Sequence, residues 1–360
     1  MQTLFFGTYD ERSHPRVQVL REGLEAAGLD VTTLNEPLGV GTAGRVAAAK
    51  SPRRAVGLLV TVVRRWSHLW RGGRALHPDV VVVGYLGHLD VHLARWRFRR
   101  ATIVLDHMVG LGDTARDRRL PGVVASLLDL VDRAALARAD VIVVDTPEQA
   151  DRLPDSTRAR RVVVPVGAPE AWFHAVARAP ADDLRVVFFG LYTPLQGATT
   201  IGEAVATLVD EPLSVTMIGV GQDRAEVERL VGDDARVHWM DWVDAAELPA
   251  VVAGHDVCLG IFGGGDKALR VVPNKVFQGA AAGCALVTSD TVPQRRALGD
   301  AAVLVPPADG TALAAALAAL GADRDLLRDR QDAARALAQA EFRPAAVVRP
   351  LVERLAGVVA

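Results

Sequence analysis

An alternation limits what this chain can fold into. Short runs of β-branched and aliphatic residues are separated by longer stretches with apolar positions at helical spacing. In the first half the runs are "TLFFG" (3–7), "VTTL" (31–34), "DVVVVG" (79–84), "ATIVLD" (101–106), "DVIVVD" (140–145) and "RVVVPV" (161–166). In the second they are "RVVFFG" (185–190), "LSVTMIG" (213–219), "RVHWM" (236–240), "DVCLGIF" (256–262), "ALVTSD" (285–290) and "AAVLV" (301–305). A strand apolar at nearly every position is covered on both faces, and the intervening helices do the covering. The pattern predicts an α/β protein with parallel sheets. "HPRVQVLREGLEAAG" shows the helical half of it, with Gly28 as its stop.

The two halves echo each other. "LFFGTY" opens the first and "VFFGLYTPLQG" the second, each with a glycine at the carboxyl end of a first strand. A length of 360 residues accommodates about two domains. We therefore expect two Rossmann-like domains with a cleft between them, at 1–178 and 184–340. The stretch "GAPEAWFHAVARAPADD" (167–183) reads as a linker, and "PAAVVRPLVERLAGVVA" as an amphipathic helix lying beyond the second domain.

Composition narrows the classes. Half the residues are hydrophobic and 23% are charged, ordinary for a globular protein. A net charge of −2 excludes a general nucleic-acid binder. The two cysteines, Cys258 and Cys284, sit in apolar runs and read as buried free thiols of a reducing compartment. The N-terminal stretch lacks a basic leader before an apolar core, so no signal peptide is expected. "AVGLLVTVV" (55–63) is too short to span a bilayer. Charge is uneven, however: residues 45–100 hold twelve Lys or Arg against Asp79 and Asp90, a local net of +10. With Trp66 and Trp70 in "KSPRRAVGLLVTVVRRWSHLWRGGR", and "RWRFRR" (95–100), this region reads either as a face for anionic lipid or as a solvated helix with an ordinary buried side.

A second cluster poses a sharper question. "DKALRVVPNKVFQGAAAG" (266–283) places Lys267, Arg270 and Lys275 within nine residues, just where Asn274 begins a helix-like run. A helix N-terminus already carries partial positive charge. Cations gathered there are favourable when an anion is bound, so the cluster reads as an anion site or else as a solvated basic loop. Gly7 and Gly190 lie where open α/β sheets bind ligands, although each also suits a tight turn. Arg16 is placed to reach a phosphate or to make an ion pair.

The second half resembles the retaining glycosyltransferases of family 4, of GT-B fold. The resemblance is carried by "VVFFGLYTPLQGATTIGEAV", "VTMIGVGQDRAEVERL", "VHWMDWVDAAELPAVVAGHDVCLGIFG" and "KALRVVPNKVFQGAAAGCALVTSD", across about 185–310. In the first half, "LDHMVGLGDTARDRR" and "RADVIVVDTPEQADRL" resemble the acceptor-side domain of a bacterial branch. The resemblance implies a nucleotide-diphosphate-sugar donor and transfer with retention. It implies no metal at the diphosphate, no cofactor, and a last helix (about 341–360) crossing back onto the first domain. Donor contacts are then expected from Gly7, Arg16, Gly190, Gln196, Gly219, Gly221, Lys267, Asn274, Lys275 and Gln278. His107 falls where the family often has a histidine against the transferred sugar. Asp106 is an alternative in the same loop, as is Asp113, and capping the strand end is the competing role for His107.

Two departures stand out. Leu191 and Gln196 occupy places where members usually carry an Arg and a Lys. Arg270 and Gln278 replace two glutamates separated by seven residues. Arg270, near the transferred sugar, joins His107 and Asp106 among the expected catalytic groups. Gln278 keeps hydrogen-bonding capacity toward a ribose without charge.

The chain therefore reads as a metal-independent hexosyl- or related transferase of the cytoplasm, peripheral at the membrane if the basic region binds lipid. Its acceptor would be a glycan, a lipid-linked sugar or a secondary metabolite. A non-catalytic nucleotide-sugar-binding partner subunit is the alternative, and a nucleotide-sugar 2-epimerase a more distant one.

Overall fold

In the computed structural model, which describes residues 1–11, 15–39, 52–108, 110–117, 120–176 and 182–359, each of the twelve runs contains a strand. The first sheet comprises β1 (Gln2–Gly7), β2 (Asp30–Asn35), β3 (Val80–Val83), β4 (Thr102–Asp106), β5 (Val141–Val144) and β6 (Arg161–Val163), in the order β2-β1-β3-β4-β5-β6. The second comprises β7 (Leu184–Phe189), β8 (Leu213–Ile218), β9 (Val237–Met240), β10 (Val257–Leu259), β11 (Ala285–Ser289) and β12 (Ala302–Val305), in the order β12-β11-β10-β7-β8-β9. Every pairing is parallel.

Alternating residues of the first sheet build a core on each face. Phe5, Val80, Val82, Val104 and Val141 pack with α1 (Pro15–Ala26) and with the C-terminal helix Arg349–Val359, through Leu351 and Leu355. Phe6, Val81, Val83, Ile103 and Ile142 pack on the other side with Leu69 of α2 (Pro52–Gly72), Val91 of α3 (Asp90–Arg97) and Leu136 of α4 (Gly122–Leu136).

The chain divides into two units, Met1–Pro165 with Val347–Ala360, and Val166–Ala346. The first boundary differs from the expected 178, because residues after Pro165 pack with the second unit. Ala168 N–H donates to Phe342 O, and Trp172 of the short helix Glu170–Phe173 stacks on Phe189 with ring centroids 5.8 Å apart. Part of the expected linker is thus core, and its residues 177–181 lie outside the described ones. The C-terminal return begins at Val347 rather than 341, since Phe342 packs edge-on against Phe277 of the second unit. Two strands stop three residues before their runs end. β6 stops at Val163 before Pro165, which has no N–H for a ladder. β10 stops at Leu259, and Phe262 N–H turns to Gln196 O instead.

The returning helix is an integral part of the first unit. Leu351 is fully buried among Val162, Val164 and Val348. Leu351→Ala is expected to lower stability by about 2–5 kcal/mol, read as a shifted denaturation midpoint. An unchanged midpoint would show that the helix adds nothing to that core.

Candidate functional site

In the second unit the groups singled out from sequence gather at the carboxyl end of β7. Lys275 is the second residue of α5 (Asn274–Ala282), and its side chain points inward, only 4% exposed. Its ammonium donates to Gln196 Oε1 and lies 3.9 Å from the centroid of the Phe188 ring. Burial pulls its pKa down from 10.5 to about 7. Gly190 makes the room: a Cβ there would stand 3.1 Å from the Lys275 nitrogen. Pro273 caps α5 without a side-chain hydrogen bond, so the first N–H groups of the helix remain available to a ligand. Lys275, Gln196 and Gly190 are thus one constellation, with Asn274 at the helix start. Gln278 is buried one turn further on.

Other expected members play different parts. Arg270 donates from Nε to the Asp266 carbonyl and from Nη2 to the exposed Asp266 carboxylate at 2.9 Å, so its guanidinium is already engaged. Lys267, half-buried, precedes the same 3₁₀ turn. Gly219 and Gly221 serve backbone packing. A Cβ on Gly219 would fall 1.9 Å from Gly190 O, and one on Gly221 would fall 2.4 Å from Tyr192 O. Arg224, which the sequence reading missed, ties this loop down. It donates to Gly219 O at 2.7 Å and lies 4.2 Å over the Trp239 ring.

In the first unit, Arg16 and Asp106 are fully buried and pair at 3.3 Å. Arg16 also donates to Val164 O and Pro165 O. The guanidinium therefore closes the sheet edge and is not placed to grip a phosphate, which corrects that expectation. Asp106 is turned inward onto Arg16 through Oδ1. Burial pushes neighbouring Asp145 up to about 6, opposed by Arg16. Gly7 leaves space for Asp90, whose carboxylate accepts from Thr8 N–H at 2.7 Å and Thr8 Oγ1 at 2.8 Å. A glycine is needed there for that contact, whatever else the loop binds.

His107 does open onto a cavity. The space, of about 520 Å³, is lined by His107, Asp113, Arg116, Asp129, Asp132 and Gln149 among others. Burial pulls the imidazole down to about 4, so it is neutral at ordinary pH. Its Nε2 has no hydrogen-bond partner among the described residues. Its ring meets that of His88 edge-on at 5.1 Å, and His88 Nε2 lies 3.2 Å from Asp132 Oδ1. Asp132 accepts N–H bonds from Leu111 and Gly112, yet burial still raises it to about 6. Among the described residues, one ligand atom from each of His88, His107 and Asp132 lies within 4.8 Å of the others, so this trio has the reach of a metal-ligand set. His88 and Asp132 were missed from sequence. His88 carries a usable signal, for it follows β3 much as His107 follows β4.

Trp66 and Trp70 face inward rather than outward. Trp66 Nε1 donates to Asp90 Oδ1 at 2.7 Å, and Trp70 stacks on Trp96 at 4.3 Å. Residues 40–51 of the basic region lie outside the described ones. Cys258 and Cys284 are free and buried, as expected.

Residues 183–323 match the family model for glycosyl transferases group 1. The sequence matches none of the curated proteins compared with it. Over 100% of this chain and 99% of its own, a sucrose-phosphate synthase from Thermosynechococcus elongatus superposes with a TM-score of 0.73 at 18% identity. An α,α-trehalose-phosphate synthase (UDP-forming) from Burkholderia vietnamiensis gives 0.67 at 15%, covering 100% and 97%. The Anabaena protein HepE, solved in complex with UDP-glucose, gives 0.68 at 12%, covering 99% and 100%. The fold is GT-B, and the second unit carries the group 1 glycosyltransferase match.

The buried amine makes a testable demand on stability. Its folded pKa, about 7, lies below its ordinary 10.5, so the unfolded chain binds more protons between those values. Stability should rise with pH across that window and carry the full cost of the charge below it. Lys275→Met should therefore raise stability at pH 6.5 by on the order of 1–2 kcal/mol, with the gain shrinking toward pH 10. Denaturation at three pH values checks this, and a gain independent of pH would contradict it.

Proposed function

We propose that the protein is a retaining glycosyltransferase whose second unit binds a nucleotide-diphosphate sugar and whose first unit supplies the acceptor side through His107 and its cavity. The observation that carries this is Lys275: a buried ammonium beside an uncapped helix start, within the segment that matches the group 1 transferases. As the glycosidic bond breaks, charge develops on the diphosphate, and a fixed cation with helix N–H groups stabilises it most in the transition state. Gln196 holds the ammonium in place without adding a second charge. Gln278 offers hydrogen bonds suited to a ribose. His107, neutral, is suited to bind a sugar hydroxyl through its unpartnered Nε2. That the HepE structure contains UDP-glucose supports a donor of this class. Arg270 and Gln278, in place of carboxylates, favour a second reading, a subunit that binds the donor without turning it over. Donor hydrolysis or transfer by the purified protein separates the two.

Three outcomes follow for the site. Lys275→Ala should reduce affinity for a nucleoside diphosphate by roughly 10- to 150-fold, the value of about 1.5–3 kcal/mol for a charge-assisted contact, and leave the bare nucleoside nearly unaffected. Equal losses for both ligands in calorimetry would remove Lys275 from the diphosphate site. Arg270→Ala should cost less, since Asp266 already engages that guanidinium.

His107→Ala should lower kcat by on the order of 10²-fold with donor affinity preserved. Steady-state kinetics at saturating donor reads this, and a normal kcat would exclude the residue.

Transfer should survive a chelator, because charge stabilisation is assigned to Lys275 and a helix end. Loss of activity restored by zinc, and abolished in His88→Ala, would instead place a required metal at the His88–His107–Asp132 trio.

A further inference from the structure

The layer formed by α2 and α4 leaves apolar residues uncovered at one end. Val56, Leu59, Val60 and Val63 of α2 are all more than half exposed. Their spacing of three, four and seven residues aligns them in one row along the helix. Val123, Leu127 and Leu130 of α4, also more than half exposed, form a second row. Both helices cover the same face of the first sheet, since Leu69 and Leu136 enter one core there.

Length shows where the rows lie. With 21 residues, α2 is roughly 30 Å long, whereas the four residues of β3 span only about 13 Å. Trp66, Leu69 and Trp70 pack on the sheet, so the C-terminal half of α2 is used and the N-terminal half overhangs. This helix runs from the end of β2 back to the start of β3, so the overhang lies at the carboxyl edge of the strands. His107 and its cavity lie at that edge too. In α4 the buried Ala135 and Leu136 are likewise at the C-terminal end, and the apolar row lies ahead of them.

Charge selects the occupant. α2 contains no acidic residue, and the exposed Arg64 borders its row. On α4 the exposed Arg133 follows Leu130 by about one turn, and it lines the cavity together with Asp129 and Asp132. Among the described residues Arg64 and Arg133 make no ion pair. Apolar rows with uncompensated arginines beside them, and with the acids at the cavity, match the boundary between acyl chains and anionic headgroups. A protein partner would need an apolar strip with acidic flanks, and the simplest one, a second copy of this chain, would set arginine rows against each other. We propose that the overhanging halves of α2 and α4 dock the first unit on an anionic bilayer, with the His107 cavity beside the lipid surface. The contact is made by valines and leucines, with Trp66 and Trp70 serving the protein core.

The full chain should co-sediment with vesicles of phosphatidylcholine and phosphatidylglycerol, and at least tenfold less with phosphatidylcholine alone. Raising salt to about 0.5 M should weaken binding, as screening requires. The double variant Val60→Glu, Leu127→Glu, checked for an unchanged melting temperature, should lose binding. Arg64→Glu should lose part of it. Undiminished sedimentation of the double variant would overturn the proposal, as would equal binding to both vesicle types. So would a dimer in solution that the double variant dissociates while wild type ignores vesicles, because the rows would then be a self-contact. Since vesicle binding is scored without turnover, the result stands apart from the transferase assignment.

Discussion

Every strand in each sheet runs in the same direction, so all carboxyl ends of a sheet meet at one edge. There the ladder stops, and backbone groups that paired with a neighbouring strand must find other partners. The two units answer this differently. In the first, Arg16 is driven inside to donate to Val164 O and Pro165 O, and Asp106 follows it to balance the charge. In the second, loops close directly on loops. Gly219 lies against Gly190, Gly221 against Tyr192, and Gly197 against Gly263, at separations that no Cβ would tolerate. The cation that remains at that edge, Lys275, is not consumed by backbone carbonyls. Its one protein hydrogen bond goes to a neutral amide.

This difference separates a fully compensated cation, Arg16, from the one proposed to meet a donor, Lys275. Arg16 meets a carboxylate and two carbonyls, which is how a buried charge is made tolerable. Lys275 meets Gln196 and the face of Phe188, which compensate it only in part, and its depressed pKa records the shortfall. A second cation in place of Gln196 would depress it further by repulsion. Gln196 therefore keeps Lys275 near the point where an arriving anion can complete its protonation. A poorly compensated buried charge gains more from an incoming anion than a well-compensated one does, because less must be given up to bind.

The fold was legible because burial on both faces of a parallel strand writes itself into sequence as uninterrupted apolar runs. Strand ends were less so. "RVVVPV" and "DVCLGIF" remain apolar after β6 and β10 have stopped, since loop residues such as Ile261 and Phe262 are as buried as strand ones. In the site, Lys275 and Gly190 could be read from their places at a helix start and a strand end. Arg16 and Asp106 were harder to read, because each meets a partner that local spacing does not identify as its own. Arg16 binds a carboxylate 90 residues away, and nothing near it in sequence announces that. The same holds for His88 and Asp132, brought together from the segment after β3 and from α4. Trp66 and Trp70 could be read only as one of two alternatives, because an amphipathic helix shows two faces and composition alone does not say which one meets the sheet.

The His88–His107–Asp132 trio shows how one geometry serves two chemistries. As a metal site it would need a deprotonated carboxylate and two neutral imidazoles. His107 meets that condition over most of the pH range, while Asp132 meets it only above about 6. Asp132 is already occupied as well, with Leu111 and Gly112 N–H groups on its oxygens and His88 beside one of them. An ion would have to compete with those bonds. A neutral hydroxyl would not, since His107 Nε2 is unpartnered and at the cavity wall. The existing bonds hold Asp132 and orient His88, His88 packs edge-on against His107, and that chain leaves the buried His107 Nε2 without a partner among the described residues, on a side chain that lines the cavity. The arrangement therefore fits a polyhydroxylated ligand better than a cation, and it does so through the neutrality that burial imposes on His107.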